Sequence, residues 1–406
     1  VGTYKSAVEP FIRNDMSPEA RQNYQALDEA RLETWRQSVK QARPKANVDL
    51  FLQNMNGAVT AAGGDMARAA LTNGLVDKIG DRGAFERRLE ALGGKRNGKF
   101  RAIGLGAYVS DAVDDRSSGP IGVVTVSGLI VDGKGSGSNA GGDRIAKQIE
   151  EGVRNGIKAL VVRVDSPGGS VLASERIRQA LLSAKAENIP IVVSMGSVAA
   201  SGGYWVATPA NFIYAEPSTI TGSIGVFGIQ FDVQKLANNF GITFDSVKTG
   251  KFADALTISR PKTPEELAVF QRMVDWIYTE FVRKVAESRK LDVAVVQEIA
   301  QGRVWSGVEA QKIGLVDELG GLDAAIAFAA QKAGLGANYR LIEYPRQREL
   351  IEAIQELIEK NAPGFAKSGS LAAKIARQLE SEVKLLKTFN DPQGIYARLP
   401  MNLSIH

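Results

Sequence analysis

The chain has 406 residues, no cysteine, and a single histidine, His406, at its very end. Thiolate and imidazole ligands for zinc, haem or iron–sulfur centres are therefore missing, a Cys–His nucleophile is excluded, and a Ser–His–Asp site would rest on a terminal residue prone to fraying. Hydrophobic residues make up 44% and charged residues 23%, as in a soluble globular protein, and the net charge of +5 is spread without blocks, which argues against a nucleic-acid surface.

In chain order, the first clear signal is Ser17-Pro18-Glu19: a hydroxyl N-cap, proline at the first helical position and an acid in the first turn. A long helix is expected behind it, to about Arg43. Positions 106–119 read as a polar linker. A buried strand is expected over 121–126, a Gly/Ser-rich loop over 133–142 and a helix over 144–153. A strand over 159–164, a loop over 165–170 and a helix over 171–185 follow. The next strand is expected over 189–195, with a loop over 196–203 and a helix beginning at 204–207. Thr263-Pro264-Glu265-Glu266 carries a capping-box pattern and opens a second long helix, to about Arg289. Residues 347–388 read as an amphipathic helical tail. Alternation at this spacing predicts a parallel α/β core. The longest apolar run, 121–131, is too short and too interrupted for a membrane span.

Part of the sequence occurs twice. Val1-Gly-Thr-Tyr-Lys5-Ser-Ala is echoed by Val247-Lys-Thr-Gly-Lys251-Phe-Ala, and Ser17-Pro18-Glu19 by Thr263-Pro264-Glu265, both at an offset of 246 residues. Gly74-Leu-Val-Asp77 matches Gly314-Leu-Val-Asp317 at 240, and Phe100-Arg101-x-Ile103 matches Tyr339-Arg340-x-Ile342 at 239. The expected organisation is the back half of a first copy (1–105), a linker (106–119), a complete second copy (120–340) and a C-terminal helical tail (341–406).

Two loops fall where parallel α/β sheets place their sites, at the carboxyl ends of strands. Asp165-Ser-Pro-Gly168-Gly169-Ser170 can turn backbone amides toward a ligand, and without GxGxxG or a Walker lysine an oxyanion hole suits those amides better than a phosphate. Taken alone it also fits a tight strand-to-helix turn. Gly196-Ser-Val-Ala-Ala-Ser201-Gly202-Gly203-Tyr204 places a serine among small residues at a helix start, where it serves equally as an N-cap or as a nucleophile. With no internal histidine, such a nucleophile needs a lysine, a carboxylate or an α-amine as its base.

Val-Asp-Ser-Pro-Gly-Gly-Ser (164–170), Ser-Val-Ala-Ala-Ser-Gly-Gly-Tyr (197–204) and Thr-Gly-Ser-Ile-Gly-Val (221–226) resemble the signal peptide peptidase A (protease IV) family. The opening eleven residues resemble that family's long, tandem-copy members. The resemblance implies an α/β fold of tandem crotonase/Clp-protease-like repeats, a strand–strand–helix spiral, here with the first copy incomplete. It implies Ser201 as nucleophile, Lys5 as general base, Ser223 as the group holding the lysine amine, and the Gly169 and Gly202 amides as oxyanion hole. No cofactor or metal is implied. The family acts on cleaved signal peptides and other unfolded apolar peptides. It implies a homotetramer at the periplasmic face of a bacterial inner membrane, anchored by an N-terminal helix that this chain lacks, and no nucleic-acid partner.

A free lysine titrates near 10.4 and is protonated at neutral pH, so a working lysine base must be buried beside apolar groups. Lys251 is the alternative base: it matches Lys5 in the repeat and follows Ser201 by 50 residues, as the lysine of half-length relatives does. Two other functions fit the glycine loops, a crotonase-like acyl-CoA enzyme and an inactive scaffold that binds apolar peptides.

Overall fold

The computed structural model describes residues 1–112, 118–336, 339–345, 391 and 395–399. The chain folds as two compact units, one of residues 1–28 with 116–406 and one of residues 29–115. The division falls inside the first long helix, α1 (Pro18–Ala42), rather than at the repeat boundary near 105. The first 28 residues thus belong to the unit that carries Ser201.

In that unit the strands and helices run as follows: β1 (Ile121–Ser127), β2 (Ile130–Val131), β3 (Ala140–Gly141), α2 (Gly142–Arg154), β4 (Ala159–Ser166), β5 (Gly168–Ser170) and α3 (Val171–Ala186). They continue with β6 (Ile191–Ala200), α4 (Gly202–Ala207), β7 (Phe212–Ala215), β8 (Ile220–Gly222), β9 (Phe227–Gly228) and α5 (Pro264–Arg289). Then come β10 (Val304–Ser306), β11 (Glu318–Leu319), α6 (Leu322–Lys332), β12 (Leu341–Tyr344) and β13 (Ile395–Arg398). Among the described residues the main sheet has the order β10-β8-β6-β4-β1-β12, with β7 against β6 and β11 against β7. Its pairings are parallel except β10 with β8. A smaller sheet has the order β9-β13-β5-β2-β3. A long strand followed by short strand and then helix recurs as β1–β2–β3–α2 and β4–β5–α3, which matches the expected strand–strand–helix pattern.

Burial follows from the parallel arrangement, which covers both sheet faces. Side chains alternate across a strand. Val124, Val126, Leu160, Val162, Ile191 and Val193 enter one core with Ile149 of α2 and Ile177 of α3. Ile121, Val123, Ala159, Val161 and Val192 enter the opposite one with Ala325 and Ala329 of α6. The helix starts follow local chemistry. Ser170 caps α3 by accepting from Ala173 N, and Thr263 with Glu266 closes a full capping box on α5.

The edge strand β10 is closed by a side chain rather than by another strand. Asn23, buried on α1, donates Nδ2 to Val304 O and accepts from Val304 N, both at 2.9 Å. One amide thus replaces a strand partner, and Leu27 one turn later packs with Val198, Ala200, Ile220 and Val304. Asn23→Ala leaves two buried backbone groups unpaired and should cost about 2–4 kcal/mol. Urea unfolding with an unchanged slope is the measurement, and a loss below about 0.5 kcal/mol would mean the edge is not held this way.

Several expectations need correction. Strand β6 continues through 196–200, so Ser201 lies directly at a strand-to-helix junction and not in a loop. Gly168–Ser170 forms strand β5 rather than loop. The expected linker holds a helix, Leu105–Ala112. The tail is strand at both its described ends: Leu341–Tyr344 pairs with β1, and Ile395–Arg398 lies between β5 and β9. The helical expectation over 347–388 and His406 lie outside the described residues.

The matched motifs have matched structures within each unit. Arg43 donates to Gly74 O at 3.0 Å and to both Asp77 oxygens at 3.0 and 2.7 Å. Arg289 does the same with Gly314 O at 2.8 Å and the Asp317 oxygens at 3.0 and 2.6 Å. Helices Arg82–Gly93 and Leu322–Lys332 follow at the offset of the Gly-Leu-Val-Asp motifs.

Candidate active site

Ser201 is fully buried at the junction of β6 and α4 and has φ 56° and ψ −114°. A serine in that region is strained by roughly 1–3 kcal/mol and persists only where its surroundings over-determine it. Here Ser201 N donates to Gly222 O at 2.8 Å, and α4 is locked behind it. Tyr204 OH, fully buried, donates to Leu315 O at 2.7 Å, and Trp205 packs on Phe281 while donating to Glu175 at 2.7 Å. Ser223, also buried, has φ 50° and donates its N–H to Arg303 O at 2.7 Å.

Lys5 comes to these two serines from the far end of the chain. Its Nζ lies 2.7 Å from Ser201 Oγ, 2.9 Å from Ser223 Oγ and 3.0 Å from Ser223 O. The side chain is buried, with no carboxylate among those partners, and desolvation holds its pKa well below the ordinary lysine value. A neutral amine has two N–H donors and one lone pair. The two Ser223 oxygens accept the donors, and the lone pair is left for the Ser201 hydroxyl. Lys251 lies elsewhere: its side chain is exposed and ion-paired with Glu265. Of the two repeat lysines, the fold brings Lys5 to the serine.

The glycine loop arrives alongside. Gly169 has φ 155°, and a Cβ there would lie 1.9 Å from Ile130 O. Gly168 has φ 92°, and a Cβ there would lie 2.6 Å from Gly202 N and 2.1 Å from Ala397 O. A Cβ on Gly202 would also fall 2.9 Å from Ala397 O. These close approaches require bare backbone and put a peptide carbonyl, that of Ala397, against Gly168 and Gly202. That carbonyl belongs to β13, which runs antiparallel to both β5 and β9 with Ala397 opposite Gly169. The strand is anchored by buried Asp391, whose carboxylate accepts from Ser170 Oγ at 2.6 Å. Sequence reading missed β13 and Asp391, because four residues of alternating pattern among helix-like sequence carry almost no strand signal.

Residues 183–336 match the model of peptidase family S49, a span that holds Ser201 and Ser223. The chain is 38% identical to Protease 4 of Salmonella typhi and 35% identical to Protease 4 of Haemophilus influenzae, in each case over 98% of its own length. It is 33% identical to a chloroplastic serine protease SPPA of Arabidopsis thaliana over 85% of its length.

The chain carries a peptidase S49 domain.

It spans 66% of each of the two Protease 4 chains and 52% of the chloroplastic relative. The family resemblance seen in the motifs therefore stands, and the S49 core coincides with β6 through α6. Lys5 lies outside the matched span, 178 residues before it, although its amine sits at the serine. Among the described residues no group of three or more His, Cys, Asp or Glu side chains is placed to hold a metal ion, and no helix is long and apolar enough to cross a membrane.

Proposed function

We propose that this S49 chain is a serine endopeptidase with a Ser201–Lys5 dyad. The observation that carries the reading is the buried Lys5 amine, 2.7 Å from Ser201 Oγ and lowered in pKa by desolvation. Neutral Lys5 takes the Ser201 proton as Oγ attacks the scissile carbonyl, and the resulting ammonium gives that proton to the leaving amine. Ser223 fixes the amine through its hydroxyl and carbonyl oxygens. The Gly169 and Gly202 amides receive the oxyanion, which is consistent with the Ala397 carbonyl resting against that loop.

The substrate is an extended peptide that adds as a strand between β5 and β9, the position β13 takes here. Ile395 and Ala397, both fully buried, support a groove that accepts small and aliphatic side chains at alternate positions. Cleaved signal peptides and other unfolded apolar peptides meet that requirement. The enzyme works at the periplasmic face of the bacterial inner membrane as a homotetramer, held there by a segment outside this chain. The paired Arg43–Asp77 and Arg289–Asp317 clasps support two tandem copies, with 1–105 the back half of the first.

Labelling with a fluorophosphonate, followed by peptide mapping, tests the reading. Adduct on Ser201, lost in Ser201→Ala, is the expected result. Folded protein without adduct would sink the peptidase in favour of a scaffold, and turnover of an acyl-CoA without adduct would favour a crotonase-like enzyme.

A further inference from the structure

We propose that Arg303 is a positioning residue for the lysine base, acting through a backbone clamp that joins the Lys5 hairpin to the Ser223 turn. The proposal rests on the Ser201–Lys5 reading and adds the device that keeps a lysine from the first copy aligned on a serine from the second. No covalent step holds those segments together: Lys5 and Ser223 are 218 residues apart.

The clamp is the segment Gln301-Gly302-Arg303, layered between the two. On one side Gln301 O accepts from Tyr4 N at 2.8 Å, and Gly302 presses on Lys5 so closely that a Cβ there would lie 2.7 Å from Lys5 Cβ. On the other side Gly302 N donates to Ile224 O at 2.8 Å, and Arg303 O accepts from Ser223 N at 2.7 Å. Each of three consecutive clamp residues therefore touches the lysine hairpin, the serine turn or both. Gly302 has φ 78°, a backbone that suits glycine.

The Arg303 side chain pins this segment. Its guanidinium lies over the Tyr4 ring, 5.5 Å from the centroid, and over the Trp305 ring at 4.2 Å. Its Nε is buried without a hydrogen-bond partner. A cation normally takes a carboxylate at such a site. Two ring faces hold it here instead, and among the described residues no ion pair to Arg303 brings a carboxylate beside Tyr4. A carboxylate beside Lys5 would favour the ammonium, which cannot accept the serine proton. The aromatic clamp supplies rigidity without that effect, and Tyr4 transmits it because it directly precedes Lys5.

The test is the rate of fluorophosphonate labelling of Ser201 against pH, beside Tm, in Arg303→Ala, Tyr4→Leu and the conservative variant Tyr4→Phe. Labelling requires neutral lysine, so its acid limb follows the lysine pKa. Loosening the clamp admits water to Lys5, moves that pKa up toward its free value and carries the acid limb to higher pH. Arg303→Ala and Tyr4→Leu are expected to slow labelling at neutral pH about 10- to 100-fold, the scale of a small misplacement of a catalytic group. Tyr4→Phe, which keeps the ring face, should label like the parent. A lower Tm with an unmoved acid limb in both Arg303→Ala and Tyr4→Leu would overturn the proposal. Lys5→Met separates the two levels: if it labels as fast as the parent, with the same acid limb, the dyad itself is wrong rather than the clamp. Should Arg303→Ala fail to fold, Tyr4→Leu on the partly exposed ring decides the question.

Discussion

Replacing Lys5 with methionine should abolish peptidase activity while making the folded chain more stable at neutral pH. The two effects share one cause. In the proposed dyad Lys5 accepts the Ser201 proton, and loss of a general base costs about 10²–10⁴ in rate. Burial disfavours the charged form of the same residue, with its pKa lowered well below the ordinary value. In the unfolded chain it titrates normally and binds a proton that the folded state refuses. The unfolded state therefore binds more protons between the two pKa values, and stability of the parent rises with pH across that window. Methionine fills a similar volume with no proton to refuse. The variant should melt above the parent at pH 7, and the gap should shrink as the pH climbs toward the free-lysine value. Lys251→Met, on an exposed side chain, should change neither property. Full activity in Lys5→Met together with loss in Lys251→Met would reverse the assignment. The acid limb of the parent's pH–rate profile should lie well below the ordinary lysine range, because the working form is the neutral amine.

Gly169→Ala should cost both stability and activity, and the activity loss should exceed what stability explains. A Cβ at that position would lie 1.9 Å from Ile130 O, a backbone atom of the neighbouring strand that cannot step aside cheaply. Its φ of 155° is also a conformation that L side chains rarely adopt. A destabilisation of about 2–4 kcal/mol is expected. Removal of one oxyanion donor costs about 10²–10³ in kcat. Thermal unfolding beside kcat under conditions where the variant is fully folded separates the two. A folded Gly169→Ala enzyme with parental kcat would remove that amide from the oxyanion hole, leaving Gly202 to be tested alone.

Much of this molecule was legible in one dimension, and the legible parts share a reason. Strands β1, β4 and β6 announce themselves because a parallel sheet covered on both faces demands unbroken apolar runs. Proline at N1, hydroxyl caps and capping boxes announce helices because those chemistries satisfy amides within four residues. The glycines at 168, 169 and 202 were conspicuous because bare backbone is needed wherever two chains meet this closely. By contrast, β13 is a short strand whose partners lie more than 160 residues away, and no local pattern encodes such a pairing. The same holds for Asn23, an ordinary helical residue until Val304 arrives beside it, and for Arg303, whose partner Tyr4 lies almost 300 residues away.

The two lysines mark the boundary most sharply. By itself the sequence determined that a nucleophile here must use a base other than histidine, that Ser201 sits at a glycine-lined helix start, and that two matching segments each carry a lysine. It left the choice between them open, because similar local motifs carry similar local information. Only the tertiary structure separates them. One copy's lysine is buried, where Gln301 to Arg303 press its segment against the Ser223 turn and water is excluded from its amine. The other stays in solvent with a glutamate for company. A lysine becomes a base through desolvation, and desolvation is a property of what surrounds a residue in space.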